Sequence, residues 1–140
     1  METNVPAVTY LLMPKQLLIA DDSYLVRETI KNVLAGRTDI AVCGEASNGL
    51  EAIRLAKANP PDLIILDINM PILSGFAAAT ELQKLLPHVP ILFFTMHTGS
   101  QFIAEARKAK VQGFVAKDRA GETLIEAART VLRNEMYFPS

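Results

Sequence analysis

Three carboxylates, a hydroxyl and an ammonium stand at the ends of apolar runs in this sequence. Asp21 and Asp22 follow Leu17-Leu18-Ile19-Ala20, and Asp67 follows Leu63-Ile64-Ile65-Leu66; Thr95 follows Ile91-Leu92-Phe93-Phe94, and Lys117 follows Gly113-Phe114-Val115-Ala116. Carboxylates brought close together repel, and at least one pKa rises unless a cation neutralises them. A hard divalent ion does this: Mg2+ takes oxygen ligands in an octahedral array, keeps several waters and needs only a few carboxylates. With the ion in place a carboxylate can attack phosphorus to give an aspartyl phosphate, and the protein's task reduces to positioning and charge neutralisation. Thr95 can then hydrogen-bond one phosphoryl oxygen while Lys117 pairs with another. Asp67 is the better nucleophile, because it is central and the loop after it is held open by Pro71 and Gly75. Asp21 and Asp22 are then metal ligands.

These residues can meet only if the runs that carry them are strands of one sheet. Ser23 can cap a helix with apolar positions Leu25, Val26, Ile30, Val33 and Leu34, closed by Gly36; residues 40–46 read as a second strand, and Asn48-Gly49 opens a helix that Pro60 and Pro61 must stop. Further helices run through Phe76, Ala79 and Leu82, through Phe102, Ile103 and Ala106, and through Leu124, Ala128 and Val131. Five strands alternating with helices predict a parallel sheet covered on both faces, since right-handed crossovers must return over it. The chain is too short for a closed eight-unit barrel. The expected architecture is an α/β, doubly wound, five-stranded parallel sheet of flavodoxin-like type. In the common order 2-1-3-4-5, strands one and three flank the point where strand order reverses, and ligands bind beyond the carboxyl ends there. Residues 16–133 form this single domain, residues 1–15 an N-terminal extension, and residues 134–140 a tail or the start of a linker.

Composition narrows the function further. The chain has 140 residues, half of them hydrophobic, enough for one core without a staple. Cys43 is the lone cysteine, so there is no disulfide framework and no CxxC motif, which points to a reducing, cytoplasmic setting. With 14 basic against 15 acidic side chains and no basic stripe, direct nucleic-acid binding by this chain is not expected. The N-terminus lacks the pattern of a signal peptide, and no apolar run is long enough to span a membrane. Neither a GxxxxGK[ST] loop nor a GxGxxG fingerprint occurs.

As a group, Asp21-Asp22, the run Asp67-Ile68-Asn69-Met70-Pro71 with Gly75, Thr95 and Lys117 resemble the receiver domain of bacterial two-component response regulators, over nearly the whole chain. Residues 39–52 and the stretch from Lys117 onward resemble the NarL/FixJ (LuxR-type) subfamily. The resemblance implies the strand order 2-1-3-4-5 and a phosphorelay signalling switch rather than an enzyme. Asp67 would accept the phosphoryl group from a sensor histidine kinase. Asp21, Asp22, Asp67 and the backbone carbonyl of Asn69 would hold Mg2+. Thr95 would be the switch hydroxyl, Phe114 the aromatic partner that turns inward with it, and Lys117 a contact to the phosphoryl oxygen. The surface of the fourth helix, fifth strand and fifth helix, including Phe102, Ile103, Arg107, Lys108, Arg119 and Arg129, would be a homodimer or partner face. DNA would be reached only through an output domain that this sequence does not contain.

Two other functions share these residues. One is an Mg2+-dependent aspartyl-phosphate phosphatase, although such enzymes of the haloacid dehalogenase type carry an Asp-x-Asp rather than an adjacent pair, and a cap for which there is no room here. The other is a receiver-like docking module that works without phosphorylation; loss of Asp67, Lys117 or one of the acidic pair would suggest it, and all are present. Among neighbouring residues, Met96 is expected to narrow access to the site, and His97 is a loop residue placed to influence the lifetime of the phosphorylated state. Asp118 is expected to cap the last helix, with Glu122 in its first turn. Cys43 and Met70 are expected to be inert core.

Overall fold

The computed structural model of the chain describes residues 13–139, the side chain of Glu122 excepted. The expected extension up to residue 12, Glu122 as a first-turn charge, and Ser140 lie outside the described residues. The elements are β1 (Lys15–Ala20), α1 (Tyr24–Leu34), β2 (Ile40–Ala46), α2 (Gly49–Ala58), β3 (Leu63–Leu66), α3 (Gly75–Leu85), β4 (Ile91–Thr95), α4 (Ser100–Lys108), β5 (Gly113–Ala116), a 3-10 turn (Lys117–Arg119) and α5 (Ala120–Leu132). All strand pairs are parallel, in the order β2-β1-β3-β4-β5. The strand order and the five β-α units agree with the sequence expectation.

The short strands are apolar throughout because both faces are covered, and alternate residues go to opposite cores. Leu18, Ala20, Ile64, Leu66, Ile91, Phe93 and Phe114 pack under α2, α3 and α4, with Ala52, Ala56, Ala78, Ala79, Leu82 and Ala106. Leu17, Ile19, Leu63, Ile65, Leu92, Phe94 and Val115 pack under α1 and α5, with Ile30, Leu34, Leu124, Ala127, Ala128 and Val131. Phe76 meets Phe93 edge-on with ring centroids 5.0 Å apart, a geometry that contributes about 0.5–1.5 kcal/mol beyond area burial. The alanines facing the sheet from α2 and α3 bring those helices in close.

Three helix starts are fixed by side chains. Ser23, Asn48 and Ser74 accept hydrogen bonds from the N–H groups of Val26, Glu51 and Ala77. Ser23 and Asn48 come just after the ends of β1 and β2, so these caps also set rim loops, and Ser74 closes the longer loop that follows β3. Asp118 is not such a cap. Arg119 is the N-cap of α5 and its side chain does not cap the helix, because the 3-10 turn runs straight into it: the Ala120 N–H bonds back to the Lys117 carbonyl, leaving Asp118 exposed.

Cys43 is half-buried rather than core. Register between β1 and β2 jumps from Leu17 opposite Val42 to Leu18 opposite Gly44, so Cys43 is the extra residue of a β-bulge. Beyond α5 the chain turns back along β5. Tyr137 donates its N–H to the Gln112 carbonyl at 2.9 Å and accepts from the Phe114 N–H at 2.8 Å, a one-residue parallel bridge.

Candidate functional site

The backbone brings the rim residues together. Asp67 N–H donates to the Ala20 carbonyl (2.9 Å) and Asp21 N–H to the Ala46 carbonyl (3.0 Å), so the first acid and the central acid leave neighbouring strands side by side. Asp21 Oδ1 accepts from the Ser23 N–H at 2.9 Å, which turns the chain into α1. The Asp67 loop is drawn tight from behind: the Gly75 N–H donates to the Ile68 carbonyl at 2.7 Å, and a Cβ on Gly75 would run into the Asp67 carbonyl. Only glycine permits that approach.

Asp21, Asp22, Asp67 and Lys117 converge, and Thr95 ends β4 opposite Ala116, the residue before Lys117. Asp21, Asp67 and Thr95 are buried, whereas Asp22 is exposed. One carboxylate oxygen from each of Asp21, Asp22 and Asp67 lies within 4.8 Å of the others. The Lys117 ammonium stands 2.6 Å from Asp21 Oδ2 and 3.1 Å from Asp67 Oδ2. Asp67 Oδ1 accepts from the Ile68 N–H at 2.8 Å. Burial pushes the Asp21 pKa up, reinforced by the neighbouring Asp67 charge and opposed by Lys117 and the Ser23 N–H. Burial also works against the Lys117 ammonium, but Asp21 and Asp67 outweigh it and hold its pKa above that of ordinary lysine. Three carboxylates thus stand against one ammonium, whose charged form Asp21 and Asp67 favour.

That imbalance suits a cation. Asp21 Oδ2 is buried with no hydrogen bond of good geometry, although the lysine's charge is close. An all-oxygen cluster with one exposed member, open on one side to water, matches a small hard ion that keeps part of its hydration. Asn69 lies exposed in the loop after Asp67.

Thr95 Oγ accepts from the His97 N–H at 3.0 Å. Its own O–H remains available to donate. The His97 ring lies 4.9 Å from that of Phe102, so this loop residue is tied to the first turn of α4. Met96 points to solvent, and Met70 is buried in the core as expected. Phe114 is fully buried, one strand over from Phe93. On the expected partner face, Phe102, Ile103, Arg107 and Lys108 lie on α4 and Arg119 on the turn. Arg129 does not belong there: it makes a two-pronged pair with Asp39 at 2.8 and 3.0 Å, because that side of α5 packs toward α1 and the start of β2.

Arg27 was not singled out from the sequence. Its Nη1 donates to the Asp21 carbonyl at 2.7 Å and its Nε pairs with Glu45 at 3.1 Å, tying α1 and β2 to the acidic loop. The signal was an arginine one turn into the helix that follows the acidic pair, unremarkable without knowing which carbonyl it reaches.

The model of the response regulator receiver domain matches residues 17–129. The chain belongs to this family. The transcriptional regulatory protein YxjL of Bacillus subtilis is 37% identical over 123 residues, which cover 88% of this chain and 56% of that protein. The structure of a LuxR-family two-component response regulator from an Aurantimonas species superposes with a TM-score of 0.84 at 30% identity, covering 89% of both chains. That of the signal receiver domain of the NarL protein from Mycobacterium tuberculosis gives 0.82 at 25% identity, covering 87% of this chain and 98% of that one. The receiver thus resembles those of LuxR-family regulators, and it spans little more than half the length of the curated relatives it matches.

Proposed function

We propose that this receiver is a phosphorylation-driven switch whose acceptor is Asp67. The observation that carries the reading is the Lys117 ammonium lying between Asp21 and Asp67 within one acidic cluster. Asp21, Asp22, Asp67 and the Asn69 carbonyl would hold Mg2+, which when bound supplies charge neutralisation for an incoming phosphoryl group. The donor is the phosphohistidine of a sensor kinase. A P–O bond forms to the Asp67 carboxylate as the P–N bond to the donor imidazole breaks, and the imidazole leaves with the electron pair. Lys117 follows the phosphoryl oxygens. Thr95 donates its O–H to one of them, because its oxygen is already satisfied by His97.

The phosphoryl group favours an arrangement in which Thr95 is drawn to the site and Phe114 is turned inward, remodelling the α4-β5-α5 surface as a partner or dimer face. The protein is a phosphoacceptor rather than a turnover enzyme. The related regulators are named as transcriptional and extend beyond this domain, so we assign it as the input half of a cytoplasmic transcription regulator, reaching DNA through an output domain. Among the described residues no helix is long and apolar enough to cross a membrane. Residues 16–133 form the receiver unit in this reading.

Incubation with Mg2+ and a small acyl phosphate should add one acid-stable, hydroxylamine-sensitive phosphoryl mass, and Asp67→Asn should abolish it. A gain that survives the substitution, or none in the unaltered chain, overturns the assignment. Sustained release of phosphate from a phosphomonoester would instead favour the phosphatase chemistry that shares these residues.

A further inference from the structure

The segment that turns back along β5 is tied to the residue on which the switch turns. Gly113 lets it come close, since a Cβ there would run into Leu92 and stand 3.3 Å from the Tyr137 carbonyl oxygen. Tyr137 bonds the backbone of Gln112 and Phe114 on either side, Phe138 packs against the core beneath α4, and the Arg107 guanidinium lies 4.2 Å above the Phe138 ring. Between this segment and α4 is a cavity of about 520 Å3 lined by Ile103, Phe114, Ala116, Thr123, Tyr137 and Phe138. Phe114 thus has its N–H on the segment and its side chain buried at the cavity wall.

We infer that residues 135–139 are a strap whose docking on β5 is coupled to the position of the Phe114 ring, so that the state of Asp67 sets how firmly the strap is held. With the ring inward the cavity stays clear, and Tyr137 and Phe138 close it. A ring swung outward enters the cavity and presses on Tyr137 and Phe138, which are held by two backbone bonds and one cation-ring contact. Inward ring and docked strap are therefore one state, and outward ring and loosened strap the other. The link to Asp67 rests on the function proposed above, under which phosphorylation favours the inward ring and so tightens the strap. Coupling is reciprocal. A strap that is pulled away, by whatever follows it or by a second chain seeking the β5 edge, favours the outward ring and disfavours the phosphorylated state.

Hydrogen exchange on the full chain, read at the Tyr137 and Phe114 amides, tests both parts. Tyr137→Pro removes the N–H given to Gln112; the Phe114 amide should then exchange about tenfold faster and the Phe114 ring resonances should shift. Phe138→Ala leaves the backbone bonds intact and should move both readouts in the same direction, deciding the matter if the proline variant does not fold. Unchanged Phe114 exchange and ring resonances in a folded variant overturn the coupling, with no phosphoryl group involved. With Mg2+ and acyl phosphate, the Tyr137 amide of the unaltered chain should exchange about tenfold more slowly, and that of Asp67→Asn should not change. A chain that carries the phosphoryl mass yet exchanges Tyr137 as before overturns the link to Asp67. Absence of the phosphoryl mass instead overturns the acceptor assignment and that link together, while the two variants still decide the coupling of strap and ring.

Discussion

Lys117 Nζ stands 2.6 Å from Asp21 Oδ2, joining the end of the last strand to the end of the first. The same ammonium is 3.1 Å from Asp67, so one lysine neutralises part of the acidic cluster. Removing it leaves the buried acids facing each other.

Lys117→Met is expected to lower stability by about 3–5 kcal/mol at neutral pH, the scale for stripping one partner from a buried charge pair. Millimolar Mg2+ should restore a large part of that loss, since it supplies the missing positive charge. Urea unfolding with and without Mg2+ measures both. Equal losses under the two conditions would argue that the acids do not hold the ion.

Arg27→Ala should weaken Mg2+ binding by about tenfold, the usual scale for a residue that orients a ligand without touching the metal. The guanidinium fixes the Asp21 carbonyl and is braced by Glu45. Calorimetric titration with Mg2+ gives the affinity. Unaltered affinity would remove Arg27 from the positioning of the acidic loop.

Ile72 has φ of 70°, and the Leu73 N–H closes back on the Pro71 carbonyl at 2.7 Å, a γ-turn centred on a β-branched residue. Its side chain is exposed, so little packing is lost on removing it. Ile72→Gly should therefore stabilise the chain by about 1 kcal/mol, against the loss glycine usually brings. Chemical denaturation decides the sign.

Arg129 holds the Asp39 carboxyl below its ordinary pKa, chiefly through their hydrogen bonds. A depressed folded-state pKa contributes stability above the unfolded value and loses it as pH falls through the folded one. Asp39→Asn should be less stable than the parent at neutral pH, with the gap closing below the ordinary carboxylate range and shrinking in high salt, as the pair is exposed. Melting temperatures at several pH values would show it. A gap that persists at low pH would assign the effect to something other than the ion pair.

The strands and the rim acids were legible because apolar runs bounded by Asp, Thr and Lys place chemistry at strand ends whatever the detailed packing, whereas the strand order came from the resemblance of the motif set. Less local features were not. Asp118 reads as a cap until the 3-10 turn supplies its own backbone bond, and Arg129 reads as part of the α4 side until its partner Asp39 is seen across α5. Cys43 reads as mid-strand core because a bulge depends on register with β1, which one strand's sequence does not specify. The role of Arg27 depends on a backbone carbonyl, which has no letter in the sequence.

The bulge at Cys43 and the bridge at Tyr137 lie at opposite ends of the sheet, on β2 and beside β5. A parallel sheet has two open margins, each a row of N–H and C=O groups on which a foreign strand can nucleate a fibril. Here one margin is kinked by an extra residue and the other is partly spent on the chain's own backbone. The molecule can be crowded at high concentration while meeting its neighbours through side chains instead of zipping onto them through main chain.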